Sequence, residues 1–110
     1  MKEHELAEAG YEEFGETDTG GGYDWSVFAV WLKDGVFWWA SDSGCSCNSP
    51  WDSTDFPDDF EGHGNAHDAI KALHSWASGT YSAEGSEGLL TKLLDYKPAH
   101  KPLTRVDFEV

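Results

Sequence analysis

The stretch Trp25-Ser26-Val27-Phe28-Ala29-Val30-Trp31-Leu32-Lys33-Asp34-Gly35-Val36-Phe37-Trp38-Trp39-Ala40 decides the fold. Two runs rich in β-branched and aromatic residues flank Asp34-Gly35, a two-residue signal for a type I′ hairpin turn. Such a turn fixes the register: Lys33 faces Val36, Leu32 faces Phe37, Trp31 faces Trp38, Val30 faces Trp39 and Ala29 faces Ala40. Directly opposed residues share a face. One face therefore carries Val27, Ala29, Trp31, Trp38 and Ala40, and the other Phe28, Val30, Leu32, Phe37 and Trp39. Both are apolar, so either the hairpin is central and covered on both sides, or one face is left for a partner. Two-sided burial is the expectation, because monomers rarely tolerate large exposed apolar patches.

Outward from the hairpin the pattern predicts an α+β domain. Residues 41–64 are dominated by Ser, Asp, Gly, Asn and Pro, and 42–64 reads as one long ordered loop pinned by Trp51, Phe56 and Phe60. Asn65 is a candidate N-cap for a helix over 66–78, whose stripe Ala66, Ala69, Ile70, Leu73, Trp76 and Ala77 ends at Gly79. Ser86 is a candidate cap for a second helix over 86–97, with Leu89, Leu90, Leu93 and Leu94 and a stop at Pro98. Tyr11 to Asp18 reads as an edge strand, Gly20-Gly21-Gly22 as a joint, Leu103 to Val110 as a last strand, and residues 1–10 as flexible or a short helix. The expected architecture is a single domain: an antiparallel sheet of three to four strands built on the hairpin (25–32 and 36–41), with both helices on one face.

At 110 residues the chain has room for one domain, and 39% hydrophobic with 15% aromatic residues is too apolar for disorder. The net charge of −14 opposes direct nucleic-acid binding and contact with anionic membranes. Residues 1–70 hold sixteen acids against Lys2 and Lys33, whereas residues 71–110 hold five acids and five bases. All of the excess is N-terminal, in blocks that flank the hairpin. No apolar run approaches a membrane span and the first residues carry no apolar signal region, so an intracellular chain is expected.

Thr17-Asp18-Thr19-Gly20-Gly21-Gly22-Tyr23-Asp24-Trp25-Ser26, then the hairpin, then Ser41-Asp42-Ser43-Gly44-Cys45-Ser46-Cys47-Asn48-Ser49-Pro50-Trp51-Asp52, resembles a group of small acidic proteins encoded by actinobacterial phages. The Gly-Cys-Ser-Cys-Asn segment is the specific part, and the likeness covers about residues 11–75. It implies the cytoplasm of an infected bacterium as the setting and carries no catalytic residue. Small accessory proteins of phages often act by binding a host protein, which favours an interaction role.

Cys45 and Cys47 are the two cysteines. A disulfide across one residue is strained, so free or buried structural thiols are the plain reading. With His63 and His67 they also make two thiolates and two imidazoles, the ligand types of structural zinc, although one residue between the cysteines is less than the usual two to four. The dense acids Asp52, Asp55, Asp58, Asp59 and Glu61 lack the alternation of a calcium loop. No nucleophile elbow, phosphate loop or dinucleotide fingerprint is present, and a negative field raises a thiol's pKa, so no catalysis is expected. The expected role is an acidic interaction module with no cofactor. Asp18, Asp24, Asp52, Asp55, Asp58 and Asp59, with aromatic Trp31, Trp38 and Trp39, would meet a basic surface on a host or phage protein, in the strongest form by imitating a nucleic-acid backbone. The alternative is a structural protein whose hairpin packs on a second copy as a homodimer.

Overall fold

The computed structural model describes residues 1–18, 24–45, 49–78 and 86–96, with Asp24 and Cys45 as backbone only. Four strands, β1 (Glu12–Asp18), β2 (Asp24–Lys33), β3 (Val36–Cys45) and β4 (Gly62–Gly64), form one antiparallel sheet in the order β1-β2-β3-β4. Two helices follow, α1 (Ala66–Ser78) and α2 (Glu87–Asp95). The hairpin closes as the turn chemistry requires: Asp34 and Gly35 sit at φ 54° and 81°, the left-handed pair of a type I′ turn. The register runs from Lys33↔Val36 through Ala29↔Ala40 and on to Asp24↔Cys45.

That register separates two cores. On one face Phe28, Val30 and Phe37 meet Ala69 and Leu73 of α1 and Leu89 and Leu93 of α2. Asn65 and Asp68 cap α1 reciprocally, Asp68 N–H donating to Asn65 Oδ1 at 2.9 Å and Asn65 N–H to Asp68 Oδ2 at 3.1 Å. On the opposite face Val27, Ala29, Trp31 and Ala40 meet Leu6 and Tyr11 of the N-terminal segment and Trp51 and Phe56 of the loop before β4. Trp31 lies at the centre, its ring centroid 5.8 Å from Trp51, 5.3 Å from Phe56 and 5.4 Å from Phe60. The hairpin is thus covered on both sides, by helices on one and by a layer without long regular elements on the other.

Three boundaries differ from the sequence expectation. The two-residue turn keeps β2 and β3 in step for ten residues each, so β3 runs to Cys45 through a polar stretch that reads as loop. The fourth strand is Gly62–Gly64, at the end of the expected loop; its glycines weaken strand propensity, but at Gly62 the Trp39 indole, 2.8 Å from where a Cβ would lie, leaves room for glycine only. α2 spans Glu87–Asp95, and the side chain of Ser86 makes no capping bond. The N-terminal segment holds a 3-10 turn (Glu3–Glu5) and is tied down by Leu6, 1% exposed. The expected strand at Leu103–Val110 and the joint Gly20–Gly22 lie outside the described residues.

Side chains close the sheet at two edge positions. Glu61 accepts from Ser41 N–H at 3.0 Å and from its hydroxyl at 2.5 Å, where β4 no longer covers β3. Lys92 of α2 donates to the carbonyl of Phe14 in β1. Because the irregular layer forms a true second core, Phe56→Ala should cost about 3–5 kcal/mol. Urea unfolding checks this; a loss below about 1 kcal/mol would mark the loop as a surface ornament.

Candidate functional site

The irregular layer carries the charge. Residues 1–11 and 49–61 hold eight carboxylates (Glu3, Glu5, Glu8, Asp52, Asp55, Asp58, Asp59 and Glu61) against Lys2, while residues 66–78 and 86–95 of the helical layer hold Asp68, Glu87 and Asp95 against Lys71 and Lys92. β1 adds to the same face. Glu13, Glu16 and Asp18 pair with Trp31, Ala29 and Val27, whose side chains face the irregular layer. Among the described residues the imbalance thus has two sides, one acidic even after the Met1 ammonium is counted and the other near neutral.

These carboxylates do two jobs. A layer with little regular structure must satisfy its backbone N–H groups locally, and charged acceptors do this strongly. Asp52 accepts from Ser49 N–H at 3.0 Å, Asp59 from Asp55 N–H at 2.7 Å, and Glu5 from Lys2 N–H at 2.7 Å. Asp55 accepts from the Met1 ammonium at 2.8 Å, and that hydrogen bond and charge hold its carboxyl below the ordinary 3.8. Lys2 Nζ donates to the Asp52 carbonyl at 2.7 Å. By contrast Asp18 and Asp58 are exposed and have no side-chain partner among the described residues, as is also true of Glu8 and Glu13.

Trp51 anchors the layer. It is 7% exposed and sits at φ 71°, a left-handed conformation costly for a bulky residue. Asp42 of β3 accepts its backbone N–H at 2.8 Å and Glu16 of β1 its indole N–H at 3.3 Å, so carboxylates from two strands grip it at both ends. Partial desolvation raises the Glu16 carboxyl from its ordinary 4.5; the Trp51 hydrogen bond opposes this, and the negative charges of Glu13, Asp18 and Glu3 add to it. Sequence reading missed Glu16 and Asp42 as anchors, since nothing in their local pattern points to a tryptophan distant in the chain.

Of the expected contact residues, Trp31 is 3% exposed and belongs to the core, because its face is covered by Trp51, Phe56 and Phe60; it offers nothing to a partner. Trp38 and Trp39 are half-buried on opposite faces. Trp38 stacks on exposed His63 at 4.5 Å and 23°, and its buried Nε1 has no hydrogen-bond partner among the described residues. The side chains of Asp24 and Cys45, and all of Cys47, lie outside the described residues. His63 is in β4 and His67 in the first turn of α1, both exposed; among the described residues no group of three or more His, Cys, Asp or Glu is placed to hold a metal ion. Nor is any described helix long and apolar enough to cross a membrane.

Residues 2–98 match a family described as a domain of unknown function, DUF7574. No curated protein and no solved structure matches the chain.

A raised carboxyl pKa means that ionised Glu16 weakens the native state at neutral pH, and that this cost disappears as pH falls below the ordinary carboxylate value. Gln keeps an acceptor for the Trp51 indole. Glu16→Gln should therefore raise the melting temperature at pH 7, with the gain shrinking to nothing near about pH 4. Thermal unfolding across that range checks it, and a gain that persists unchanged in acid would refute the electrostatic origin.

Proposed function

We propose that this chain, which belongs to the DUF7574 family, is a phage-type accessory protein that works by protein–protein interaction in the cytoplasm of an infected bacterium. Its acidic layer is the contact surface and a basic surface of a host or phage protein the partner. The observation that carries the reading is the segregation of charge by layer: eight carboxylates against one lysine on the irregular side, with Glu13, Glu16 and Asp18 continuing the field along β1. A solubilising charge gains nothing from being confined to one side, whereas one-signed potential over a face accelerates encounter with an oppositely charged cleft and repels wrong partners. Alternate positions of a strand lie about 6.6–6.8 Å apart, so Glu16 and Asp18 offer the start of a regular anionic row. In its strongest form the layer stands in for a nucleic-acid backbone and blocks a nucleic-acid cleft. Packing of both hairpin faces within one chain speaks against self-association through the hairpin.

The test compares capture from an actinobacterial host lysate at ionic strengths of about 0.1 M and about 1 M, between which the screening length falls from about 10 Å to about 3 Å. One variant converts Asp52, Asp55, Asp58 and Asp59 to Asn, which keeps an acceptor oxygen at each site; the other carries Glu87→Gln and Asp95→Asn on the helical side. The expected result is a basic protein held by the parent and by the helical variant at low salt, released at high salt and missed by the loop variant. Capture that ignores salt, or that both variants lose equally, would contradict the proposal.

A further inference from the structure

Among the described residues β1 is an edge strand, and a side chain closes only the start of its outer side. Antiparallel strands alternate between residues that exchange hydrogen bonds with one neighbour and residues that bond to the other. The Lys33↔Val36 pair closes the hairpin, so Trp31, Ala29 and Val27 of β2 bond to β3, and Leu32, Val30 and Phe28 bond to β1. On β1 the inward-bonding residues are then Glu12, Gly15 and Thr17, which leaves Glu16 and Asp18 with N–H and C=O turned outward. Toward the start of the strand the register slips between Glu13 and Gly15, and Lys92 occupies the Phe14 carbonyl. No such plug exists at Glu16 or Asp18 among the described residues.

We infer that this open end of β1 accepts an extended, lysine- or arginine-bearing segment of a partner protein as an added strand. The inference rests on the acidic-layer reading and specifies how the partner engages it. Charge complementarity selects the occupant: an incoming strand sets its side chains opposite Glu16 and Asp18, with Glu13 beyond, where basic residues are favourable and acidic ones are not. A second copy pairing through β1 would oppose carboxylate to carboxylate, so the same row that welcomes a basic strand rejects self-pairing. Main-chain hydrogen bonds supply the fit, and the alternate side chains supply selectivity.

The experiment uses the full chain labelled with ¹⁵N and two synthetic peptides of about eight residues that alternate Lys with Thr or Val. The second peptide carries methyl groups on alternate backbone nitrogens, leaving its charge unchanged while removing its capacity to pair. The expected result is slowed amide exchange at Glu16 and Asp18 with the first peptide, together with affinity at least about tenfold above that of the methylated one. Equal binding of both without protection at Glu16 and Asp18 would overturn strand addition and leave the charged-layer reading standing. No binding of either peptide at low salt would overturn both.

Discussion

A turn whose two central residues, Asp34 and Gly35, both sit at positive φ leaves the emerging strands one register, and that register builds two apolar faces back to back. Neither face can be left to water. The chain meets one with α1 and α2, whose stripes supply Ala69, Leu73, Leu89 and Leu93, and the other with Leu6, Tyr11, Trp51 and Phe56 from segments that are mostly irregular. The rest of the structure follows from covering the hairpin twice with a short chain.

An irregular cover satisfies its backbone through turns and one 3-10 segment rather than through a ladder or a long helix. Carboxylates take N–H groups that those turns leave. Asp42 and Glu16 hold Trp51, Asp52 and Asp59 close turns, and Glu61 closes the edge of β3. The acidity of the N-terminal part is therefore partly architectural: a layer that lacks regular hydrogen bonding recruits anionic acceptors. The remainder, Glu8, Glu13, Asp18 and Asp58 among them, satisfies no described backbone group, and it is this surplus that gives one side of the molecule a field to act through.

The hairpin, both of its faces and the two helices were legible because each rests on local chemistry: the Asp-Gly turn, alternation, the Asn65 cap and leucine spacing. β4 was not. Gly62-His63-Gly64 has no strand propensity; it pairs with Phe37 to Trp39, and the Trp39 indole lies where a side chain at Gly62 would be. Likewise Trp31 could not be separated from Trp38 and Trp39 by sequence, since which aromatic is covered depends on where Phe56 and Phe60 fold back. The acidic blocks could be read as one-sided, but not which carboxylates were committed to backbone groups, because those bonds join positions as distant as Glu16 and Trp51.

The irregular layer and the hairpin form one cooperative core. Native-state hydrogen exchange addresses it directly through the Phe56 amide, which donates to the Met1 carbonyl at 2.8 Å, and the amides of Val27 to Trp31. Phe56 should open with a free energy within about 1 kcal/mol of that of the hairpin amides. Exchange at Phe56 through local opening, at a free energy several kcal/mol below that of the hairpin, would contradict it.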